Sequence, residues 1–393
     1  MLARLKRAAS LWPLAAFAIT WPVFRVLRGL RPPRPRGPRF LVIQVAKIGD
    51  LVCTSGLFRE LKRAVPDSHL TVEVLPSLVP VLAANPHVDE VRPLDDRRLR
   101  WPPARCVRWA RLAAAGYDYL LLPTPNAVHV LDGWFGLVRR LASVVEVRGR
   151  CTTQTRSFEA LRRVLDHEAR YEEGTLTRAA YVRLLEVAGV RGGEPRLEHH
   201  LPAGARERAR AWLARAGAGP RRVGISPGAG NRLKLWPADR FAAVASALAG
   251  DGATIVVVGA PGDRAEARTI VEAAGARGLD ACGAFDLADL GGLLAELDLF
   301  VSVDTGPLYM ASALGVPTVD VTGPIDPAEQ PPLEAGCRVV HVDLDCRPCS
   351  HVLATARTCR TGHLRCLGDT TPAMVVAACR EALGASVRPA AVN

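Results

Sequence analysis

The chain has 393 residues, 49% hydrophobic and 23% charged, which is too long for one core of ordinary size and too apolar for a disordered polymer. Its formal net charge of +12 is unevenly placed, because nine Lys or Arg and no Asp or Glu fall within the first 39 residues. The excess therefore describes a basic tail and not a nucleic-acid groove.

That tail holds AASLWPLAAFAITWPVF, Ala8 to Phe24, between Arg4, Lys6 and Arg7 on one side and Arg25 and Arg28 on the other. The run is shorter than the ~20 residues of a spanning helix, and Pro13 and Pro22 interrupt it. It predicts a peripheral anchor, with the basic flanks drawn to an anionic inner leaflet and Trp12, Phe17, Trp21 and Phe24 at the interface. A cleaved signal peptide, for which Ala16 and Ala18 would be the small pair, and an unstructured extension are the rival readings. RPPRPRGPR, Arg31 to Arg39, reads as a stiff linker, so residues 1–38 stand apart from the folded domains.

From Phe40, FLVIQV reads as a buried strand, and Thr54, Leu57, Phe58, Leu61 and Val65 recur at helical spacing. Further strands are predicted at Leu70–Pro76, Glu90–Asp95 and Tyr117–Pro123. Strands alternating with amphipathic helices predict a doubly wound parallel sheet. The rhythm weakens after Gly149, passes a helix near Arg178–Val187 and reaches a polar stretch at Arg191–Ala218. A second series begins there, with strands at Val223–Ser226, Thr254–Val258, Leu299–Val303 and Thr318–Thr322 and helices near Pro237–Leu248, Asp263–Ala274, Asp289–Glu296 and Pro307–Leu314. Two α/β domains are expected, at 39–205 and 206–370, followed by a helix at Ala373–Leu383 and a tail within 371–393.

Ligands of open parallel sheets bind beyond the carboxyl ends of the strands, and several strands here end on glycine turns. The first carries Lys47, Gly49 and Asp50. Asp50 could serve only as a helix cap, whereas Lys47 at a strand's mouth calls for a partner or a ligand. SPGAGNRLKLWP places Ser226, Gly228, Gly230 and Lys234 where backbone N–H groups and one full charge could hold a phosphate. VVVGAPGD ends on Gly259 and Asp263, positioned for ribose hydroxyls or for plain capping, and FVSVDTG ends on Asp304, Thr305 and Gly306 at a helix start. Neither the P-loop nor the dinucleotide fingerprint matches these turns. Three such turns on one sheet edge imply a nucleotide diphosphate.

These residues resemble the bacterial heptosyltransferases, glycosyltransferase family nine. The pieces that carry the likeness are VAKIGDLVCTSGLFRELKRAVPDSHLTVEVLP, GAGNRLKLWPADRF, VVVGAPGDRAEA, LGGLLAELDLFVSVDTGPLYMASALGVPTV and TGPIDP, spanning about Phe40 to Gly384. The resemblance implies the GT-B fold, two Rossmann-like domains facing a cleft, with the last helix packing back across the first domain. It implies Asp50 as general base toward the acceptor hydroxyl, Lys234 on the donor's phosphates, Asp263 near the ribose, and Asp304, Thr305 and Gly306 on the donor. Where the family often has His three residues after that glycine, this chain has Tyr309.

The implied activity is inverting heptosyl transfer from ADP-heptose to a lipopolysaccharide inner-core acceptor of lipid A–Kdo type, by a cytoplasmic enzyme peripheral to the inner membrane. Such a reaction needs a base for the acceptor hydroxyl and cations for the departing diphosphate, so no catalytic cofactor or metal is expected. Thr124 and Asn126, beyond the strand end at Pro123, are weaker acceptor-side candidates, as is His129. Another nucleotide sugar serving a different surface glycan, and a non-catalytic nucleotide-sugar binder, are the alternatives. A nucleic-acid partner is not expected, since basic residues and aromatics are not interleaved.

Cys346, Cys349, Cys359 and Cys366 crowd residues 346–366, with His351 and His363 between them. The C-x2-C pair followed by two more Cys suits a structural zinc site, although the second pair is wider than a usual knuckle. Disulfides, disfavoured in a reducing compartment, and plain buried thiols are the other readings. Some members of the family show a similar Cys-rich segment.

Overall fold

The computed structural model describes residues 17, 20, 22–28, 30, 37–95, 97–146, 156–331 and 336–385. Most of the expected anchor, including Trp12 and Trp21, and linker residues 31–36 lie outside the described residues. The chain divides into two compact units: Met1–Ala46, Thr54–Leu82 and Pro86–Pro195 form the first, and Lys47–Cys53, Ala83–Asn85 and Arg196–Asn393 the second.

The first unit carries β1 (Arg39–Gln44), β2 (His69–Val74), β3 (Glu90–Pro93), β4 (Tyr119–Leu122), β5 (Arg140–Glu146) and β6 (His167–Tyr171) in the order β3-β2-β1-β4-β5-β6, every pairing parallel. Phe40 to Gln44 are all buried, as expected for a central strand covered on both faces. Leu41, Ile43, Leu120, Leu122 and Leu141 pack with Val130 and Trp134 of the helix Ala127–Phe135.

The second unit carries β7 (Arg222–Ser226), β8 (Thr254–Val257), β9 (Gly278–Asp280), β10 (Leu299–Val303), β11 (Thr318–Val321) and β12 (Arg338–Val340) in the order β12-β11-β10-β7-β8-β9, again all parallel. Numbered within each unit, the two orders are the same doubly wound 3-2-1-4-5-6 arrangement. Val223, Ile225, Ile255, Val257, Val301 and Val319 pack against Phe241, Val244 and Leu248 of the helix Ala238–Gly250.

Four features depart from the sequence reading. Phe17 and Phe24, expected at a membrane interface, instead pack against Trp134 and Phe135 of the first unit, with Phe17 buried in its core. The polar stretch before β7 contains a helix, Ala205–Arg215, which buries only Ala205, Ala209 and Leu213 and so lacks a wide apolar face. The strands β5, β6, β9 and β12 were not foreseen; β9 and β12 are three residues long, at the edges of their sheet. Finally, the terminal helix, Pro372–Ala385, does not belong to the first unit: Val375, Val376, Cys379 and Ala382 are buried in the core of the second.

Candidate functional site

Strand order in the second unit reverses between β7 and β10, so the crevice beyond their carboxyl ends is where a ligand should sit. Ser302 joins these ends: its Oγ donates to the Ser226 carbonyl at 2.9 Å and lies 3.3 Å from Thr305 Oγ1. The chain leaves Ser226 through Gly228 and Gly230 to Asn231, whose Oδ1 accepts from Leu233 N at 3.2 Å and starts the short turn Arg232–Lys234. That turn brings the Lys234 ammonium onto the Asp304 carboxylate at the end of β10.

The segment Lys47–Cys53 is counted with this unit, and two glycines explain how closely it packs. The short helix Ile48–Cys53 meets the start of the helix Gly306–Ala313; a Cβ on Gly306 would lie 2.5 Å from Ile48 Cβ, and one on Gly49 would lie 3.0 Å from Tyr309 Cδ2. Any side chain at either place would force the two helices apart. With them together, Lys47 Nζ donates to the Gly230 carbonyl at 3.0 Å.

Asp50 Oδ2 accepts from Lys47 N at 3.2 Å, so the residue caps its own helix while remaining partly exposed. Burial raises its pKa; the Lys47 N–H bond and the Lys234 charge oppose that rise, and the Asp304 charge adds to it. Burial lowers the pKa of Lys47, and the charges of Lys234 and Arg357 lower it further. Burial would also lower Lys234, but the Asp304 ion pair outweighs it and the net shift is upward. The result is a carboxylate of raised basicity beside cations that repel one another, an arrangement suited to an anionic ligand.

Asp263 Oδ2 accepts from Ala260 N at 2.8 Å and folds over both glycine turns: a Cβ on Gly228 or Gly259 would lie 2.9 Å from that oxygen. It therefore caps the β8 turn at its meeting point with the β7 turn. Tyr309 is buried, its Oη 2.6 Å from Asp304 Oδ1 and 2.7 Å from the Gln330 carbonyl. Burial and the neighbouring Asp304 push its pKa well above the usual phenol value. They do the same to the buried carboxyl of Asp320 on β11.

In the first unit the corresponding reversal lies between β1 and β4. There Gln44 Nε2 donates to Thr54 Oγ1 at 2.9 Å, and Thr124 Oγ1 donates to Gln44 Oε1 at 3.1 Å. Asn126 caps the helix Ala127–Phe135 by accepting from Val128 N at 2.9 Å. His129 is buried beside Asp132 at 3.3 Å, in a cluster where Arg108 bridges Asp132 and Glu73. Thr124 thus stands at the strand mouth, while Asn126 and His129 are engaged in holding the helix.

The family model described as glycosyltransferase family 9 (heptosyltransferase) matches residues 165–359. Over those residues, just under half of its length, the chain is similar to this family of glycosyltransferases. It is 24% identical to lipopolysaccharide heptosyltransferase 3 of Escherichia coli over 286 residues, covering 71% of this chain and 81% of that protein. Its fold is similar to that of a family 9 glycosyltransferase from Veillonella parvula, with a TM-score of 0.75 at 21% identity, over 90% of this chain and all of the other. An E. coli heptosyltransferase whose structure was determined with ADP gives a TM-score of 0.64 at 18% identity over 88% of this chain and 99% of its own. The chain accordingly shares the α/β, GT-B-type fold of these proteins.

Sequence reasoning did not find Asn231, Arg357 or Gln330. Asn231 Nδ2 donates to the Ala356 carbonyl at 2.9 Å, tying the phosphate-type turn to the Cys-rich segment that carries Arg357. The Pro324 carbonyl accepts from Cys349 N and Ser350 N, each at 3.1 Å, and buried Glu329 lies 2.5 Å from His351 Nδ1, so that segment is pinned to the loop bearing Gln330. Only the pattern Asn-x-x-Lys before Trp-Pro hinted at the first of these.

Cys346, Cys349, Cys359 and Cys366 line one small cavity of about 10 Å³ together with His363. Burial raises the thiol pKa of Cys349 and Cys366, whereas a hydrogen bond from the Thr361 hydroxyl and neighbouring backbone N–H groups lower that of Cys359 to about 7. The donor set fits zinc in kind. Its sulfurs are more widely spread than a closed cage: ligand atoms mutually within 4.8 Å are found in Asp326, Glu329 and His351, but in no three of these thiols among the described residues.

Proposed function

We propose that the enzyme transfers a heptose from ADP-heptose, with inversion, to the inner core of a lipopolysaccharide acceptor of lipid A–Kdo type, working at the cytoplasmic face of the inner membrane. The observation that carries this reading is the single cluster in which Asp50, raised in basicity, stands beside Lys47 and Lys234 at the start of the helix Gly306–Ala313. Relatives that are lipopolysaccharide heptosyltransferases support the sugar and the acceptor, and the ADP present in the structure of one fold neighbour supports the nucleotide.

In this mechanism Asp50 takes the proton of the acceptor hydroxyl as its oxygen bonds to the anomeric carbon. The bond from that carbon to the diphosphate oxygen breaks, and ADP departs with the electron pair. Lys234, Lys47 and the N–H groups at Gly306 meet the growing negative charge. Asp263 faces the ribose, and Thr124 the acceptor. Tyr309, in place of the histidine that the family often carries, favours a second reading in which the sugar or base of the donor differs. For the tetracysteine we propose a structural zinc ion held by Cys346, Cys349, Cys359 and Cys366, outside the chemistry.

Asp50→Asn tests the reaction. The amide oxygen can still accept from Lys47 N, so ADP affinity should stay within a few-fold while kcat falls by the ~10²–10⁴ that a general base contributes. Because the base works deprotonated, wild-type activity should fall as pH drops through the raised pKa of Asp50. Substantial residual turnover in the variant would remove Asp50 from this role.

A further inference from the structure

At the amino-terminal edge of the first unit's sheet lies an open pocket of about 400 Å³ lined by Arg25, Arg28, Arg139, Arg140, Arg163 and Asp166. Five guanidiniums and one carboxylate line it. Asp166 accepts from Arg28 at 3.0 Å, from Arg140 at 2.8 Å and from Leu141 N at 2.8 Å. Such a pocket calls for an anion.

It is far from the crevice in which a parallel sheet binds its ligand. Arg139 and Arg140 precede or open β5 and Asp166 precedes β6, so the pocket sits at the ends opposite Gln44 and Thr124. β5 is seven residues long, which separates the two edges by roughly 20 Å at ~3.3 Å per residue. A sugar acceptor at the carboxyl edge would not reach it.

The neighbouring surface decides the ligand. Residues 22–28 are helical, and three contacts fix how they are turned. Phe24 packs edge-on against Phe135, with ring centroids 5.0 Å apart. Arg28 lies over the Trp134 ring at 4.5 Å, and its Nε donates to the Val138 carbonyl at 2.8 Å. With Phe24 and Arg28 held inward, Val23, Val26, Leu27 and Leu30 form an outward stripe at helical spacing and are 59%, 60%, 43% and 73% exposed. An apolar stripe beside an arginine pocket presents, side by side, the two chemistries of a membrane surface.

We propose that this pocket binds the phosphate headgroup of an anionic lipid, while Val23, Val26, Leu27 and Leu30 enter the boundary between headgroups and acyl chains. It rests on the membrane-surface placement proposed above, but not on the identity of the donor, and it assigns that attachment to a built site and not only to the basic tail.

The test is sedimentation of the full chain with phosphatidylcholine vesicles, with and without phosphatidylglycerol, alongside an Arg25→Glu/Arg139→Glu variant and a Val23→Ser/Val26→Ser variant. The melting temperature of each protein reports whether the first unit, which carries the substitutions, stays folded, and ADP titration reports the second. Each basic residue near an anionic surface is worth about fivefold in partition, so the double reversal should weaken binding to the anionic vesicles at least about 25-fold, and the serine variant should also weaken it, with ADP binding unchanged in both. If wild type binds anionic vesicles and the reversal does not change this, the pocket assignment fails while membrane attachment stands. If wild type binds no vesicles, both fail. Equal binding to neutral vesicles would overturn the charge argument, and full release by millimolar inorganic phosphate would reassign the pocket to free phosphate.

Discussion

Replacing Tyr309 with Phe removes one oxygen atom and leaves the ring against Gly49. The single phenolic proton is shared between Asp304 Oδ1 at 2.6 Å and the Gln330 carbonyl at 2.7 Å, and both acceptors lose it together. A hydrogen bond to a charged group is worth about 1.5–3 kcal/mol net, and the ring remains in place, so no cavity larger than the oxygen adds to that loss. For a unit of this size the melting temperature should fall by roughly 4–9 °C. Asp304 also holds Lys234, so loosening it should weaken ADP binding about three- to tenfold. Because burial and Asp304 keep the phenol protonated well past its usual pKa, both effects should be constant from pH 6 to pH 9. Tyr309→His, which restores a donor, should recover part of the ADP affinity. Scanning calorimetry with isothermal titration reads both quantities. A Phe variant with unchanged melting temperature and unchanged ADP affinity would refute the idea that the phenol organises the donor crevice.

Asp320→Asn is an isosteric change to a carboxyl whose neutral form is favoured by burial, so stability at pH 6 should stay within about 0.5 kcal/mol of wild type. Burial raises the folded pKa of Asp320 above its unfolded value, so its contribution is fully present below the unfolded pKa and is lost as pH rises toward the folded one. Urea midpoints at pH 6 and pH 9 should therefore fall less in the variant; equal falls would contradict the assignment. For the tetracysteine, metal analysis of purified protein should find about one zinc per chain, lost in Cys349→Ser, with the apparent melting temperature lowered by a chelator. Metal-free wild-type protein with all four thiols open to a thiol reagent would end the zinc proposal.

The sequence pattern was most legible where physics leaves few options. Continuous apolar runs such as FLVIQ and LFVSV are buried on both faces and read directly as central strands. Glycine turns followed by Lys or Asp pointed to the candidate site at the strand ends, and close backbone approach there admits no side chain at Gly49 or Gly306. The short edge strands β9 and β12 carry too few residues for a period to emerge. The helix Ala205–Arg215 hides behind arginines because its buried stripe is one residue wide. For Asp50 the structure shows the cap, one oxygen accepting from Lys47 N while the group stays partly exposed, and the base role is the proposal made above. Tertiary partners such as Arg357 and Gln330 have no local signal, since they reach the site through the packing of distant loops. No helix among the described residues is long and apolar enough to cross a membrane.

In the mechanism proposed above, the turns after β7, β8 and β10 hold a nucleotide diphosphate through Lys234. Calorimetric titration of the full chain with ADP, UDP and GDP, repeated with Lys234→Ala, tests it most directly. Selective binding of ADP is expected, weakened at least tenfold in the variant and unchanged in Thr124→Ala. Equal ADP affinity in wild type and Lys234→Ala, or no binding of any of the three diphosphates, would contradict it.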